Sequence, residues 1–178
     1  MAIGDVMLDE LADSIRNVPD FPKEGIQFKD ITPVLSDARL LDGCITNLIG
    51  KHSADTVDVV AGIDARGFIF GAAMARELSV GFVPIRKKGK LPWDTYEESY
   101  DLEYGSNTIA IHKDAVSSGQ RVLLVDDLLA TGGTAAAAVK LLIRSGGVLV
   151  ESVFFIELDF LDGRSKLGDV PVRSLLKY

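Results

Sequence analysis

The chain has 178 residues, of which 47% are hydrophobic and 25% charged, the usage of an ordinary folded domain of one core rather than of a disordered chain. Nineteen Lys and Arg against 26 Asp and Glu leave a net charge of −7, which repels nucleic acid and anionic membrane surfaces, so an anionic ligand needs a local basic patch. A single cysteine, Cys44, with only His52 and His112 beside it, excludes an internal disulfide and a cysteine–histidine zinc set and points to a reducing compartment.

The acidic start of the chain and the lack of any apolar run near ~18 residues lead to the expectation of a soluble, cytoplasmic protein. In chain order, Leu8, Leu11, Ile15 and Val18 recur at helical spacing and predict a helix that stops at Pro19. A loop-like segment, 23–35, follows. Leu40, Leu41, Cys44, Ile45, Leu48 and Ile49 then mark one face of a second helix, with Asp37 as its cap and Cys44 in the core. Strands are expected at 57–61, 81–85, around Ile109 and Ile111, at 121–125 and at 148–156, and helices at 70–78 and 134–145. This alternation predicts an α/β fold in one domain, 1–178: a mainly parallel sheet with helices on both faces. The stretch 86–107 is too polar for a core element and is expected to be a long functional loop. His112 is expected to be structural and His52 exposed.

The most informative string is Val122–Thr134, VLLVDDLLATGGT, followed by the helix-forming AAAAVKLLI. Thr131, Gly132, Gly133 and Thr134 place small residues and hydroxyls where the first backbone N–H groups of a helix lack partners, a way of holding a phosphate. Asp126 and Asp127 direct two carboxylates at the same crevice. They suit a ligand with sugar hydroxyls to donate or a magnesium ion to share, and a phosphorylated ribose offers both. Neither a nucleotide P-loop ending nor a dinucleotide fingerprint is present.

This string resembles the phosphoribosyl-diphosphate signature of the type I phosphoribosyltransferases. Four further stretches resemble the adenine-specific members of that family: 21–33 (FPKEGIQFKDITP), 61–71 (AGIDARGFIFG), 85–92 (IRKKGKLP) and 99–105 (SYDLEYG). Two positions depart from the family pattern, Glu24 where Pro is commoner and Lys29 where Arg is commoner.

The resemblance implies a twisted sheet carrying a small N-terminal base-binding hood and a flexible lid. It implies transfer of a 5-phosphoribosyl group to adenine, with Mg²⁺, by a homodimer that binds neither nucleic acid nor membrane. Ribose and 5-phosphate would fall to Asp126, Asp127, Ala130, Thr131, Gly132, Gly133 and Thr134. The diphosphate would fall to Ala65, Arg66, Arg86, Lys87, Lys90 and Tyr104, and adenine to Ile26, Gln27, Phe28, Lys29 and Leu158. Glu103 and Arg66 would be catalytic, and any protein contact to magnesium would run from Asp126 or Asp127 through water. Related diphosphate loops imply a cis peptide bond between Asp64 and Ala65. An oxopurine-specific enzyme is the nearest alternative; its family usually has an aspartate base where this chain has Ala130. A non-catalytic regulator that senses the diphosphate sugar is the other.

Overall fold

The computed structural model describes residues 3–101 and 106–178, with side chains from residue 7, and it leaves the side chain of Asp101 undescribed. The chain divides into two compact units, 1–47 and 48–178.

In the first unit, α1 (Ile3–Ser14) ends five residues before Pro19, where it is expected to stop. Val18 belongs instead to β1 (Arg16–Pro19), which pairs antiparallel with β2 (Gln27–Asp30), Val18 opposite Phe28. Pairing across a hairpin overrides the helical spacing that Val18 shares with Leu11 and Ile15. Segment 23–35 therefore holds a strand and the start of the short α2 (Thr32–Ser36), where a loop was expected. In the connection between β1 and β2 the Phe21–Pro22 bond is cis, Gly25 at φ +84° donates its N–H to Asp20 Oδ1 at 2.7 Å, and Phe21 meets Phe28 edge-on. Asp37 caps α3 (Ala38–Ile49), its Oδ1 accepting from the amides of Arg39 and Leu40 at 2.9 and 3.0 Å. Cys44 is fully buried, as expected, and burial pushes its thiol well up from the ordinary range.

The second unit is built on seven strands: β3 (Val59–Ile63), β4 (Gly81–Lys87), β5 (Thr95–Asp101), β6 (Ser106–His112), β7 (Arg121–Leu129), β8 (Val148–Glu157) and β9 (Val172–Lys177). Their order is β5-β6-β4-β3-β7-β8-β9; β4, β3, β7, β8 and β9 run parallel, and β6 and β5 continue antiparallel from β4. The sheet is thus mainly parallel, as the alternation predicts. Two helices cover it, α4 (Gly67–Leu78) and α5 (Gly133–Arg144). Gly62 and Gly71 let Phe82 and α4 close on one face, where a Cβ on either would fall 2.8 or 2.6 Å from the Phe82 ring. Neighbouring strand residues point the other way. Ala61, Ile63, Val83, Ile85, Val122 and Leu124 form the opposite face and share a core with Ala135, Ala138, Leu141 and Leu142 of α5.

The polar stretch 86–107 is not a free loop, because it contains β5. TYEESYD alternates: Tyr96 and Tyr100 pack against the core, Arg144 lies 4.6 Å over the Tyr96 ring, and Lys140 bonds Glu98 at 3.2 Å, whereas Glu97 pairs with Lys88 at 2.7 Å. Charged residues on an edge strand disguise its period of two. Trp93, before it, is 69% exposed. His52 is also corrected: its side chain is only 6% exposed and its Nε2 lies 3.0 Å from Glu151 Oε2. His112 ends β6, where its Nε2 accepts the Trp93 N–H at 3.4 Å. Among the described residues no helix is long and apolar enough to cross a membrane.

Candidate active site

From β3 the chain enters α4 on one face of the sheet, and from β7, the adjacent strand, it enters α5 on the other. Crevices at such a reversal, beyond the carboxyl ends of parallel strands, are where open α/β sheets bind ligands. Here the crevice has a cavity of about 230 Å³, lined by Arg66 from the β3 side and by residues 126–135 from the β7 side.

Asp126 and Asp127 lie within β7, which runs four residues beyond the expected strand end. Asp127, 6% exposed, holds Arg66 Nε at 2.8 Å through its Oδ2. Asp126 Oδ1 accepts the Asp127 N–H at 2.9 Å. Withdrawal from water, and then the charge of Asp127, push the Asp126 carboxyl well above its ordinary value. Burial raises Asp127 too, against the opposing pull of the Arg66 guanidinium. The start of α4 presses directly on this pair: a Cβ on Gly67 would lie 2.8 Å from Asp126 Oδ1 and 2.9 Å from the Val125 carbonyl oxygen.

Past Leu129, the loop of Ala130, Thr131 and Gly132 leads into α5. Gly132 has φ +77° and makes no side-chain cap, and the helix's first backbone bond runs from the Ala136 N–H to the Gly132 carbonyl at 2.9 Å. The amides of Gly133, Thr134 and Ala135 precede that bond, with Thr131 and Thr134 hydroxyls at the same rim. The string 131–134, expected to hold an anion, thus lies at an uncapped helix start, a kind of place where backbone amides can receive one.

On the β3 side, the Asp64–Ala65 peptide bond is cis, as expected. Arg66, at the N-cap of α4, also lacks a side-chain cap. Arg86 Nε reaches Asp64 Oδ2 at 3.2 Å and its Nη1 donates to the Lys90 carbonyl at 3.1 Å, joining the β3 loop to the turn after β4. Lys87 and Lys90 are exposed. Leu158 follows β8 directly, its N–H donating to the Leu129 carbonyl at 2.9 Å. Ile26, Gln27, Phe28 and Lys29 lie in the first unit, Gln27–Lys29 on β2, with Lys29 Nζ 2.7 Å from Asn17 Oδ1. Glu103 and Tyr104 lie outside the described residues. Among the described residues no group of three or more His, Cys, Asp and Glu side chains could hold a metal ion.

Sequence reasoning missed the Asp64 side chain as the tether of Arg86, and Gly163, whose backbone abuts the Ala130–Gly132 loop. Asp64 carried a signal in its place at the end of a strand, immediately before Arg66. Gly163 carried none, since its partner is more than thirty residues away.

The phosphoribosyl transferase domain model matches residues 34–172. An adenine phosphoribosyltransferase of Parvibaculum lavamentivorans is 53% identical over 171 residues, 95% of this chain and 98% of that one. The chain belongs to the adenine phosphoribosyltransferase family. A crystal structure of the adenine phosphoribosyltransferase of Rhodothermus marinus matches with a TM-score of 0.92 at 50% identity, covering 98% of this chain and 99% of the other. That of Saccharomyces cerevisiae, complexed with an imino-altritol bisphosphate and adenine, matches at 0.89 and 40% identity over 96% and 99%. The chain is therefore a pentosyltransferase, and its reaction moves a 5-phosphoribosyl group from phosphoribosyl diphosphate to adenine, giving AMP and diphosphate.

Proposed function

We propose that the crevice between β3 and β7 holds the phosphoribosyl diphosphate of this reaction, and that its two walls act on opposite ends of the sugar. One observation carries this: uncapped amides at the start of α5 share a cavity with the half-buried Asp126 carboxylate, the buried Asp127 carboxylate and the Arg66 guanidinium. The 5-phosphate goes to the amides and hydroxyls of Thr131–Thr134, with Ala130 at their edge, and the ribose hydroxyls donate to Asp126 and Asp127. Opposite, Arg66 with the Ala65 backbone, Arg86, Lys87, Lys90 and Tyr104 receive the diphosphate. Breaking the anomeric bond builds positive charge on the ribose and negative charge on the leaving group. Carboxylates beneath the sugar and cations around the diphosphate answer both.

Two adjacent carboxylates lining the cavity, Asp126 half-buried and Asp127 buried, suit a cation delivered by the substrate, so Mg²⁺ fits this site as a passenger on the diphosphate sugar, reached from Asp126 or Asp127 through water. When bound, the ion neutralises charge on the departing diphosphate. Adenine is assigned to Ile26, Gln27, Phe28, Lys29 and Leu158, with the Gln27 and Lys29 backbone offering one acceptor and one donor. Glu103 is assigned the proton on the attacking purine, a role worth about 10²–10⁴ in rate, which Glu103→Gln would remove from single-turnover kinetics. The whole chain, 1–178, works as one phosphoribosyltransferase domain in a cytoplasmic homodimer that needs no nucleic acid or membrane.

The test is a product screen with phosphoribosyl diphosphate, Mg²⁺ and adenine, hypoxanthine or guanine. A backbone that pairs with adenine leaves both groups of an oxopurine unmet, and kcat/KM for adenine exceeds the others by at least about a thousandfold. Comparable turnover of hypoxanthine would move the assignment to the oxopurine reading. Sedimentation of a fully active monomer would remove the dimer.

A further inference from the structure

The Ala130–Gly132 loop does not hold its shape alone. After β8 the chain turns through two short 3₁₀ segments, Asp159–Leu161 and Gly163–Leu167, and the second brings Gly163 against that loop. A Cβ on Gly132 would run into the Gly163 carbonyl, and a Cβ on Gly163 would run into the Ala130 carbonyl. Two backbones are therefore in direct contact with no side chain between them. Such an approach needs something to hold it, and the residue after Gly163 supplies it. Arg164 makes a two-pronged pair with Glu157, Nε to Oε1 at 3.0 Å and Nη2 to Oε2 at 2.6 Å, and its Nη1 donates to the Val172 carbonyl at 2.7 Å. Ser174 Oγ donates to Glu157 Oε2 at 2.7 Å. Glu157, 3% exposed, sits at the end of β8, so a strand of the rigid sheet anchors the turn. Arg164 first, and Ser174 after it, hold the Glu157 carboxyl down to about 2 against the opposing effect of burial, so the pair stays charged at any working pH.

We propose that Glu157 and Arg164 are positioning residues for the 5-phosphate cradle: their ion pair presses the Gly163 backbone against Ala130–Gly132 and so aims the first amides of α5 into the crevice. This rests on the cradle reading above. The clamp acts on the phosphate end alone, because Leu158 is held by main-chain bonds that the side-chain pair does not make: its own N–H to the Leu129 carbonyl and, one residue before it, the Tyr178 N–H to the Glu157 carbonyl, at 2.9 Å each. Phosphate affinity should thus respond to the clamp while adenine affinity does not.

The experiment compares the full-length parent with Arg164→Ala, Arg164→Lys and Gly163→Ala, reading the dissociation constant of ribose 5-phosphate by calorimetry and both KM values with kcat. For Arg164→Ala the expected result is a rise of about tenfold or more in the ribose 5-phosphate constant and in KM for phosphoribosyl diphosphate, the scale of a misplacement near 1 Å. The KM for adenine should stay within about twofold. Arg164→Lys should recover little, since an ammonium cannot make the fork. A merely structural defect would lower the active fraction, and so kcat, and leave both KM values alone. If Arg164→Ala does not fold, Gly163→Ala, which keeps the ion pair and removes only the close approach, carries the test with the same expected rise. Unchanged ribose 5-phosphate affinity in a folded variant overturns the clamp. Failure of the parent to bind ribose 5-phosphate overturns the cradle itself, and the clamp with it.

Discussion

The β3–α4 and β7–α5 junctions share one plan and differ in what they expose. Each takes a buried parallel strand through a few residues into a twelve-residue helix, neither helix has a side-chain cap, and each needs a glycine where backbone or carboxylate comes too close for a Cβ. At the β3 junction a cation, Arg66, occupies the N-cap and turns its side chain across to Asp127. At the β7 junction the N-cap is Gly132, and the acids stand behind it in the strand. Identical architecture thus yields one wall that presents a guanidinium and one that presents amides over carboxylates. The polarity of the crevice is set by which residues occupy equivalent places, not by a difference in fold.

Removing the cation from the first wall should have the largest effect. Arg66→Ala deletes the charge proposed to meet the leaving diphosphate and leaves Asp127 without its guanidinium, and kcat/KM should fall by about 10²–10³ in steady-state assays with saturating adenine. A fall below tenfold would mean that the two walls do not share the work as the comparison holds.

Next come the glycines. Gly132→Ala must place a side chain at φ +77° against the Gly163 carbonyl, and Gly67→Ala must displace Asp126. Both should destabilise by about 1–3 kcal/mol in denaturant titrations. Gly132→Ala, which disturbs the amides proposed for the phosphate, should weaken ribose 5-phosphate binding by about tenfold or more, and Gly67→Ala, which displaces one proposed ribose acceptor, by less. Equal losses from both would erase the functional distinction between the junctions.

Asp126→Asn sharpens the comparison by separating stability from activity. A carboxyl whose value is raised in the folded state binds its proton more tightly there, so its contribution is lost as pH rises from the unfolded value toward the folded one, and at pH 7 it is a cost. Asparagine keeps an acceptor for the Asp127 amide without the charge. The melting temperature at pH 7 should rise by about 2–4 °C while activity falls, and a drop in melting temperature would contradict the assigned cause.

The smallest effect lies away from the crevice. Asp58, beside Arg121, and Glu157, beside Arg164, are both held down to about 2, so their stabilisation is complete above the unfolded carboxylate range and disappears as pH falls from about 4.5 toward 2. Acid titration of the parent should show stability falling in that window, and the fall should be shallower in Glu157→Gln.

Where a run of neighbouring residues makes a feature, the sequence was enough to read it. Val122–Thr134 is strand, acids and an uncapped helix start in one string, and the lining of the observed crevice follows it closely. Features made by distant residues were not legible. The His52 side chain is covered where it meets Glu151, ninety-nine residues later, and Val18 leaves its helix because Phe28 pairs with it. β5 was hidden for another reason: an edge strand that shows charge on one face and tyrosine on the other reads as a polar loop until α5 is seen covering the tyrosines. β9, whose residues are mostly half-buried, never rose above its surroundings in apolar pattern.

The missing side-chain cap on α5 has a consequence for how the protein reports its own occupancy. Central strands β3 and β7 place their main-chain protons among those slowest to exchange with solvent, whereas Gly133, Thr134 and Ala135 carry amide protons that precede the first helical bond. Those three are expected to exchange faster than the sheet when no anion is bound and to slow if an anion takes them as proposed. In deuterium exchange the apo and loaded proteins would therefore differ most at one helical turn, against a sheet that keeps its labels in both.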